Sequence, residues 1–203
     1  MKIILATHNK HKMAEMKAVL NDLQVEVKTL DDFPEIGDIP ETGSTLEENA
    51  LLKARTVNEL IGLPAVGDDT GLEVDALDGA PGVLSARYGG EKATYEDNVN
   101  KLLDEMFNVH YQERTARFRT ITVFVDGNNV ISAEGKIEGF INKSPKGTHG
   151  FGYDPVFYLP ELKRTFAELS TEEKNKISHR GLALQKLSKL LSAHWSVNES
   201  TGE

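Results

Sequence analysis

KIILATHNKHKMAEMKAVLNDLQVEVKT, residues 2–29, changes its hydrophobic period twice, and that change decides the fold class. Lys2 to Ala6 is a short apolar run ending in a polar elbow, Thr7-His8-Asn9. From Lys10 to Leu20 the apolar residues Met13, Met16, Val19 and Leu20 recur at helical spacing. Gln24 to Thr29 alternates, with Val25 and Val27 on one face, as a half-buried strand does. A β-loop-α-β opening implies an α/β protein, a sheet with helices on its faces.

The pattern continues outward. Asp31–Gly43 is a proline- and acid-rich loop, long enough to be a working loop rather than a plain connector. Ser44-Thr45-Leu46-Glu47 has capping-box spacing, and Leu46, Ala50, Lys53 and Ala54 follow at helical spacing until Gly62 and Pro64. Ala65-Val66-Gly67 and the alternating Leu72, Val74 and Ala76 read as two short strands with an acidic turn, Asp68-Asp69-Thr70-Gly71, between them. Asp78–Gly82 is a turn, and a helix from about Thr94 to Met106 shows Val99, Leu102, Leu103 and Met106 on one face. Ala116–Asp126 and Val130–Ile141, joined by Gly127-Asn128-Asn129, predict a hairpin. A glycine-rich loop covers Lys146–Asp154, and a last helical stretch runs from Thr171 to His194. With no repeat, linker or low-complexity segment, residues 1–195 read as a single domain and 196–203 as a frayed polar tail.

Composition narrows the function. The chain has 203 residues, 39% hydrophobic and 27% charged, as packed globular domains do. It has no cysteine, which removes disulfides, thiolate nucleophiles and cysteine metal sites. The N-terminal apolar run is too short for a signal segment and nothing later approaches a membrane span, so a cytoplasmic protein without a membrane partner is expected. The formal charge of −9, from 32 acids and 23 bases, opposes a role on nucleic-acid backbones. A small polyanion remains admissible where local bases, amides or a metal ion offset that charge.

Four stretches can carry chemistry. Thr7–Lys12, between strand and helix, is either a capped helix with a solvated basic first turn or an anion site built on the helix terminus. Its spacing is not a Walker A loop. Glu41, Asp68 and Asp69, with Glu47, Glu48 and Glu73 nearby, are either hydrated loop acids or carboxylates grouped for magnesium beside phosphates. Lys53, four residues after Asn49, either faces that acid turn or pairs on a helix surface. In Gly147–Pro155, glycines permit close backbone approach and Phe151 offers a stacking face for a base, unless the aromatics plug a core. In Glu172–Gly181, Lys174 and Arg180 can only donate hydrogen bonds, which suits a 6-oxo purine better than adenine. One straight helix cannot aim Lys174, His179 and Arg180 the same way. Either it breaks near Ser178 or the long side chains curl.

Together these stretches resemble the inosine/xanthosine triphosphate pyrophosphatase (ITPase) family, from Lys2 to about Leu191. The matching segments are residues 5–12 (LATHNKHK), 41–50 (ETGSTLEENA), 67–72 (GDDTGL), 81–88 (PGVLSARY), 150–155 (GFGYDP) and 172–181 (EEKNKISHRG). The resemblance implies an elongated central mixed sheet with helices on its faces and two lobes flanking a substrate cleft. It also implies a homodimer and Mg²⁺-dependent hydrolysis of ITP, dITP or XTP to the monophosphate and pyrophosphate, cleansing the nucleotide pool. By position, Thr7, His8, Asn9, Lys10, His11 and Lys12 would hold the triphosphate, and Lys53 would face it. Glu41 and Asp69 would bind the metal, Asp69 also serving as proton acceptor, and Thr70 would contact substrate. Phe151, Gly152, Tyr153, Asp154, Lys174, His179 and Arg180 would hold base and sugar. The chain departs from the commonest family wording in three places. His8 and His149 stand where glycine is frequent, and Gly67-Asp68-Asp69-Thr70 replaces Ala-Asp-Asp-Ser.

Two other readings are weaker. Asp69-Thr70-Gly71 matches the triplet of aspartic proteases, but those enzymes pair two such turns and this chain has one. A non-catalytic purine-nucleotide sensor would have less need of Glu41, Asp68, Asp69 and Lys12 together.

Overall fold

The computed structural model describes residues 2–20, 23 and 25–200, with side chains described through Ser196. Gln24, the first residue of the predicted second strand, lies outside the described residues. Its elements, in chain order, are β1 (Lys2–Leu5), α1 (Lys10–Leu20), β2 (Glu26–Thr29), α2 (Leu46–Ile61), β3 (Ala65–Val74) and β4 (Pro81–Gly82). Then follow α3 (Tyr95–Glu105), β5 (Thr115–Asp126), β6 (Asn129–Ile141), β7 (Phe157–Leu159), β8 (Arg164–Thr165), α4 (Thr171–Ile177) and α5 (His179–Ser200). The strands form one mixed sheet in the order β2-β1-β3-β5-β6-β7-β8, with β4 paired to β3. β1 is parallel to β2 and β3, whereas β4 on β3 and β7 on β6 are antiparallel.

The chain divides into two compact units. The first takes the chain through Asp69, then Thr120–Gly135, then the stretch from Arg180 onward. In it the two-residue period of β1 and β3 sorts side chains to two faces. Ile3, Leu5 and Val66 pack with Met13 and Met16 of α1 and Leu184 and Leu187 of α5. Ile4, Ala6 and Ala65 pack instead with Val57 of α2. Helix α2 starts because Thr45 Oγ1 accepts the Glu48 N–H at 3.1 Å, and it stops at Gly62, whose φ of 74° is left-handed. The cap is therefore one residue beyond the Ser44-to-Glu47 spacing, and Ser44 bonds the Glu48 carboxylate itself.

The second unit comprises Thr70–Arg119 and Lys136–His179. Its core joins Leu72 and Val74 of β3, Val99 and Leu102 of α3, Phe118 of β5, and Phe157 and Phe166. The alternate positions make a polar ladder, in which Arg117 meets Asp75 at 2.7 Å and Arg119 meets Glu73 at 3.0 Å.

Two sequence expectations change. Asp68–Gly71 is not a turn between short strands, because β3 runs unbroken from Ala65 to Val74. Its glycines serve close approach, not a bend. A Cβ on Gly67 would lie 2.4 Å from the Ala50 carbonyl of α2, and one on Gly71 would lie 2.8 Å from the Gly82 carbonyl of β4. The C-terminal helical stretch is two helices, interrupted by Ser178 with an extended ψ of 156°. α5 then continues to Ser200, where sequence composition suggests a frayed tail from Ser196. Residues 201–203 lie outside the described residues. Among the described residues no helix is long and apolar enough to cross a membrane.

Candidate active site

In the first unit, strand alternation sends consecutive acids to opposite faces. Asp68 points, like Val66, toward α1 and α5, where Lys12 Nζ lies 3.2 Å from Oδ1 and Arg180 Nε lies 3.0 Å from Oδ2. Arg180 also pairs with Glu15 of α1. Asp69 points, like Gly67, toward α2. There Asn49 Nδ2 donates to its Oδ2 at 3.1 Å and Lys53 Nζ lies 3.7 Å from its Oδ1. The same Lys53 ammonium donates to Glu41 Oε1 at 2.8 Å. Gly67 makes this possible, since α2 rests directly on the strand backbone there.

Burial shapes the electrostatics. Asp68 is fully buried, which alone would raise its pKa, yet Lys12, Arg180 and Lys53 hold it far below the usual carboxylate range. Burial dominates at Asp69 and pushes its carboxyl up. Burial also depresses Lys12, although Asp68 opposes the shift. At Lys53 burial works downward, but Asp68, Asp69 and Glu41 lift the ammonium above its ordinary value. Glu15, Glu41, Asp68 and Asp69 thus interleave with Lys12, Lys53 and Arg180.

Among the described residues no group of three His, Cys, Asp or Glu side chains forms a ready-made metal cage. Magnesium seldom uses one, being held by one or two carboxylates with waters and substrate phosphates. Glu41 and Asp69, which already share one cationic group, fit that requirement.

The other residues of the first loop are placed less uniformly. Asn9 caps α1, its Oδ1 accepting from the N–H groups of His11 and Lys12 at 3.0 and 3.1 Å. Those amides are therefore engaged, not presented to an anion. Thr7 Oγ1 accepts from Asn9 N–H at 3.2 Å. His8, Lys10 and His11 are exposed, and His8 Nε2 lies 3.4 Å from the Gly37 carbonyl.

In the second unit, Phe151, Asp154 and Lys174 come together. Asp154 Oδ2 accepts from the Phe151 N–H at 2.9 Å and from Lys174 Nζ at 2.6 Å. That ammonium stands 4.8 Å from the centre of the half-buried Phe151 ring. Gly150, at φ 76°, is required here, because a Cβ would fall 2.0 Å from Asp154 Oδ2. Gly152 also has a positive φ, and Thr70 is half-buried within β3. Tyr153 is buried, with its hydroxyl donating to the Ser85 carbonyl at 3.0 Å. His179 is buried with its ring stacked on Phe118 at 4.4 Å. Arg180, grouped by sequence with the base-holding residues, lies in the first unit with its Nε and one terminal nitrogen on carboxylates. A surface hollow of about 560 Å³ in the second unit, lined by Ile137, Phe140, Leu159 and Leu162 among others, contains none of these residues.

Sequence reasoning gave no role to Glu15 or Asn49. The available signal was a polar residue inside a buried stripe: Glu15 lies between Met13 and Met16, and Asn49 precedes Ala50 and Lys53.

The Ham1 family profile matches residues 3–190. The chain belongs to the Ham1 family. A family relative from Thermoanaerobacter pseudethanolicus, a dITP/XTP pyrophosphatase, is 51% identical over 187 residues, covering 92% of this chain and 94% of the relative. The Bacillus subtilis dITP/XTP pyrophosphatase is 46% identical, with 94% and 96% covered. Among solved structures, the Ham1 protein of Coxiella burnetii superposes with a TM-score of 0.88 at 42% identity, covering 95% of this chain and 99% of its own. The dITP/XTP pyrophosphatase of Mycobacterium abscessus gives 0.75 at 42% identity, with 92% and 97% covered.

Proposed function

We propose that this Ham1-family enzyme hydrolyses dITP, ITP and XTP to the monophosphate and pyrophosphate, with magnesium, by attack of water on the α-phosphorus. The supporting observation is the carboxylate pair Glu41 and Asp69 gathered on the one buried ammonium of Lys53. A magnesium ion held there would neutralise phosphate charge and order the attacking water.

The remaining work falls to side chains. Asp69 takes the proton of the attacking water as the bond from the α-phosphorus to its bridging oxygen breaks. Lys12 and Lys53 face the charge that gathers on the departing pyrophosphate. Asp68, tied to Lys12 and Arg180, keeps those bases in place and is not the proton acceptor. Phe151 stacks on the base, and Lys174 donates to the 6-oxo oxygen of hypoxanthine or xanthine. Adenine presents a donor at that edge and leaves the interaction unmade. We read the enzyme as a homodimer, to be checked by sedimentation equilibrium.

Incubation with ITP, XTP, GTP and ATP in Mg²⁺, followed by phosphorus NMR, tests the reading. Pyrophosphate should form from ITP and XTP far faster than from ATP, and EDTA should stop it. Release of orthophosphate, bound nucleotide without any product, or full activity in EDTA would each overturn it.

A further inference from the structure

Asn49 is fully buried within α2, where an apolar residue would pack without needing hydrogen-bond partners. Its two amide atoms face two different chain segments. Oδ1 accepts the Gly43 N–H at 2.7 Å, and Nδ2 donates to Asp69 Oδ2 at 3.1 Å. Gly43 is two residues beyond Glu41, on the loop that delivers that carboxylate to Lys53. Lys53 is one helical turn after Asn49, so the helix that fixes the amide also carries the shared ammonium. The loop lies flush against the amide: a Cβ at Gly43 would come within 2.7 Å of Asn49 Oδ1 and 2.6 Å of the Glu48 Cβ.

The chemistry selects an amide. The backbone N–H requires an acceptor and the carboxylate requires a donor. Asn is the short side chain that offers both from one rigid plane. Its hold on Oδ2 leaves Oδ1 as the Asp69 atom turned toward Lys53.

The geometry points to Asn49 as a positioning residue for the metal site: its amide locks the Glu41 loop to Asp69 and so sets the spacing and orientation of the two carboxylates. This rests on the magnesium reading above. Groups that orient metal ligands typically contribute 10–100-fold in metal affinity. Asn58 provides the contrast. It is a buried amide on the same helix that also bridges two segments, donating to the Leu63 carbonyl at 2.8 Å and accepting from the Gly127 N–H at 3.1 Å, with no carboxylate involved.

The test is Mn²⁺ binding to the nucleotide-free protein, read by electron paramagnetic resonance, beside thermal unfolding. Asn49→Ala should weaken Mn²⁺ binding about 10–100-fold. Asn58→Ala should lower the melting temperature and leave Mn²⁺ affinity at the wild-type value. Gly43→Ala displaces the same amide without deleting it and should also weaken Mn²⁺, which covers the case of an unfolded Asn49→Ala. In ITP hydrolysis the Mg²⁺ concentration for half-maximal rate should rise in parallel, while KM at saturating Mg²⁺ stays unchanged. Wild-type Mn²⁺ affinity in folded Asn49→Ala or Gly43→Ala would overturn the positioning role and leave the metal reading standing. Equal weakening in Asn58→Ala would reduce Asn49 to a general stabiliser. Absence of Mn²⁺ binding by the wild type would remove the metal reading and the role together.

Discussion

Replacing Arg180 by Met removes a guanidinium held between two buried carboxylates while keeping much of its apolar stem. Arg180 is 1% exposed, Glu15 7% and Asp68 0%. Asp68 retains Lys12 at 3.2 Å, but Glu15 loses the cation it faces. Breaking a buried ion pair from one side costs about 3–5 kcal/mol, since a charge stays behind in a poorly solvating place. At roughly 2–4 °C per kcal/mol for a chain of this size, the melting temperature should fall by about 6–20 °C. Urea unfolding of nucleotide-free protein gives the free energy directly. The cycle with Glu15→Gln is the sharper measurement: once Glu15 is neutral, losing Arg180 should cost less, with a coupling of about 0.5–3 kcal/mol. A loss below about 1 kcal/mol in Arg180→Met, or strictly additive single effects, would refute the idea that these charges hold one another in place.

Three more outcomes are expected. Asp69→Asn should still bind ITP in equilibrium dialysis while turnover drops at least about 100-fold, and near-normal turnover would take the proton acceptor elsewhere. Phe151→Ala should weaken ITP and XTP binding by about 1–3 kcal/mol, the worth of one base–aromatic stack, with calorimetry as the check. Glu173, whose carboxylate accepts the Ser170 N–H and faces Arg164, is held at about 2, below its ordinary 4.5. A depressed carboxyl adds stability that is complete above its unfolded value and drains away as pH falls from about 4.5 toward 2. Glu173→Gln should therefore flatten the decline of melting temperature across that window, and an unchanged slope would show that the α4 cap contributes nothing.

Local periodicity made most of the fold legible. Residues 2–20 and 115–141 announce their elements locally: α1 and β6 bury one face and leave the other exposed, whereas β1 and the second half of β5 are apolar runs buried on both faces. Residues 65–74 misled for a physical reason. Two adjacent acids between glycines look like a hydrated bend, and only partners distant in sequence reveal a buried strand. Arg180 stands 165 residues from Glu15 and 112 from Asp68, so no local pattern could have matched them. The candidate site was readable as residue types, Glu41, Lys53 and Asp69 above all. Their division of labour was not. Asp68 and Asp69 are neighbours in the chain, yet strand alternation hands one to a pair of bases and the other to an amide and a lysine.

The Lys53 ammonium between Glu41 and Asp69 has a thermodynamic consequence. On the magnesium reading, an arriving divalent ion must compete with an ammonium that already stands beside both carboxylates, so the nucleotide-free enzyme should bind it less tightly than the enzyme holding substrate. A polyphosphate gives the evicted lysine somewhere better to go. Ion and nucleotide would then each strengthen the other's association by the same factor, as linkage demands. The ion would thus bind the nucleotide-free enzyme measurably but less tightly than the enzyme that holds a triphosphate, and the reactive centre would tighten as its substrate arrives.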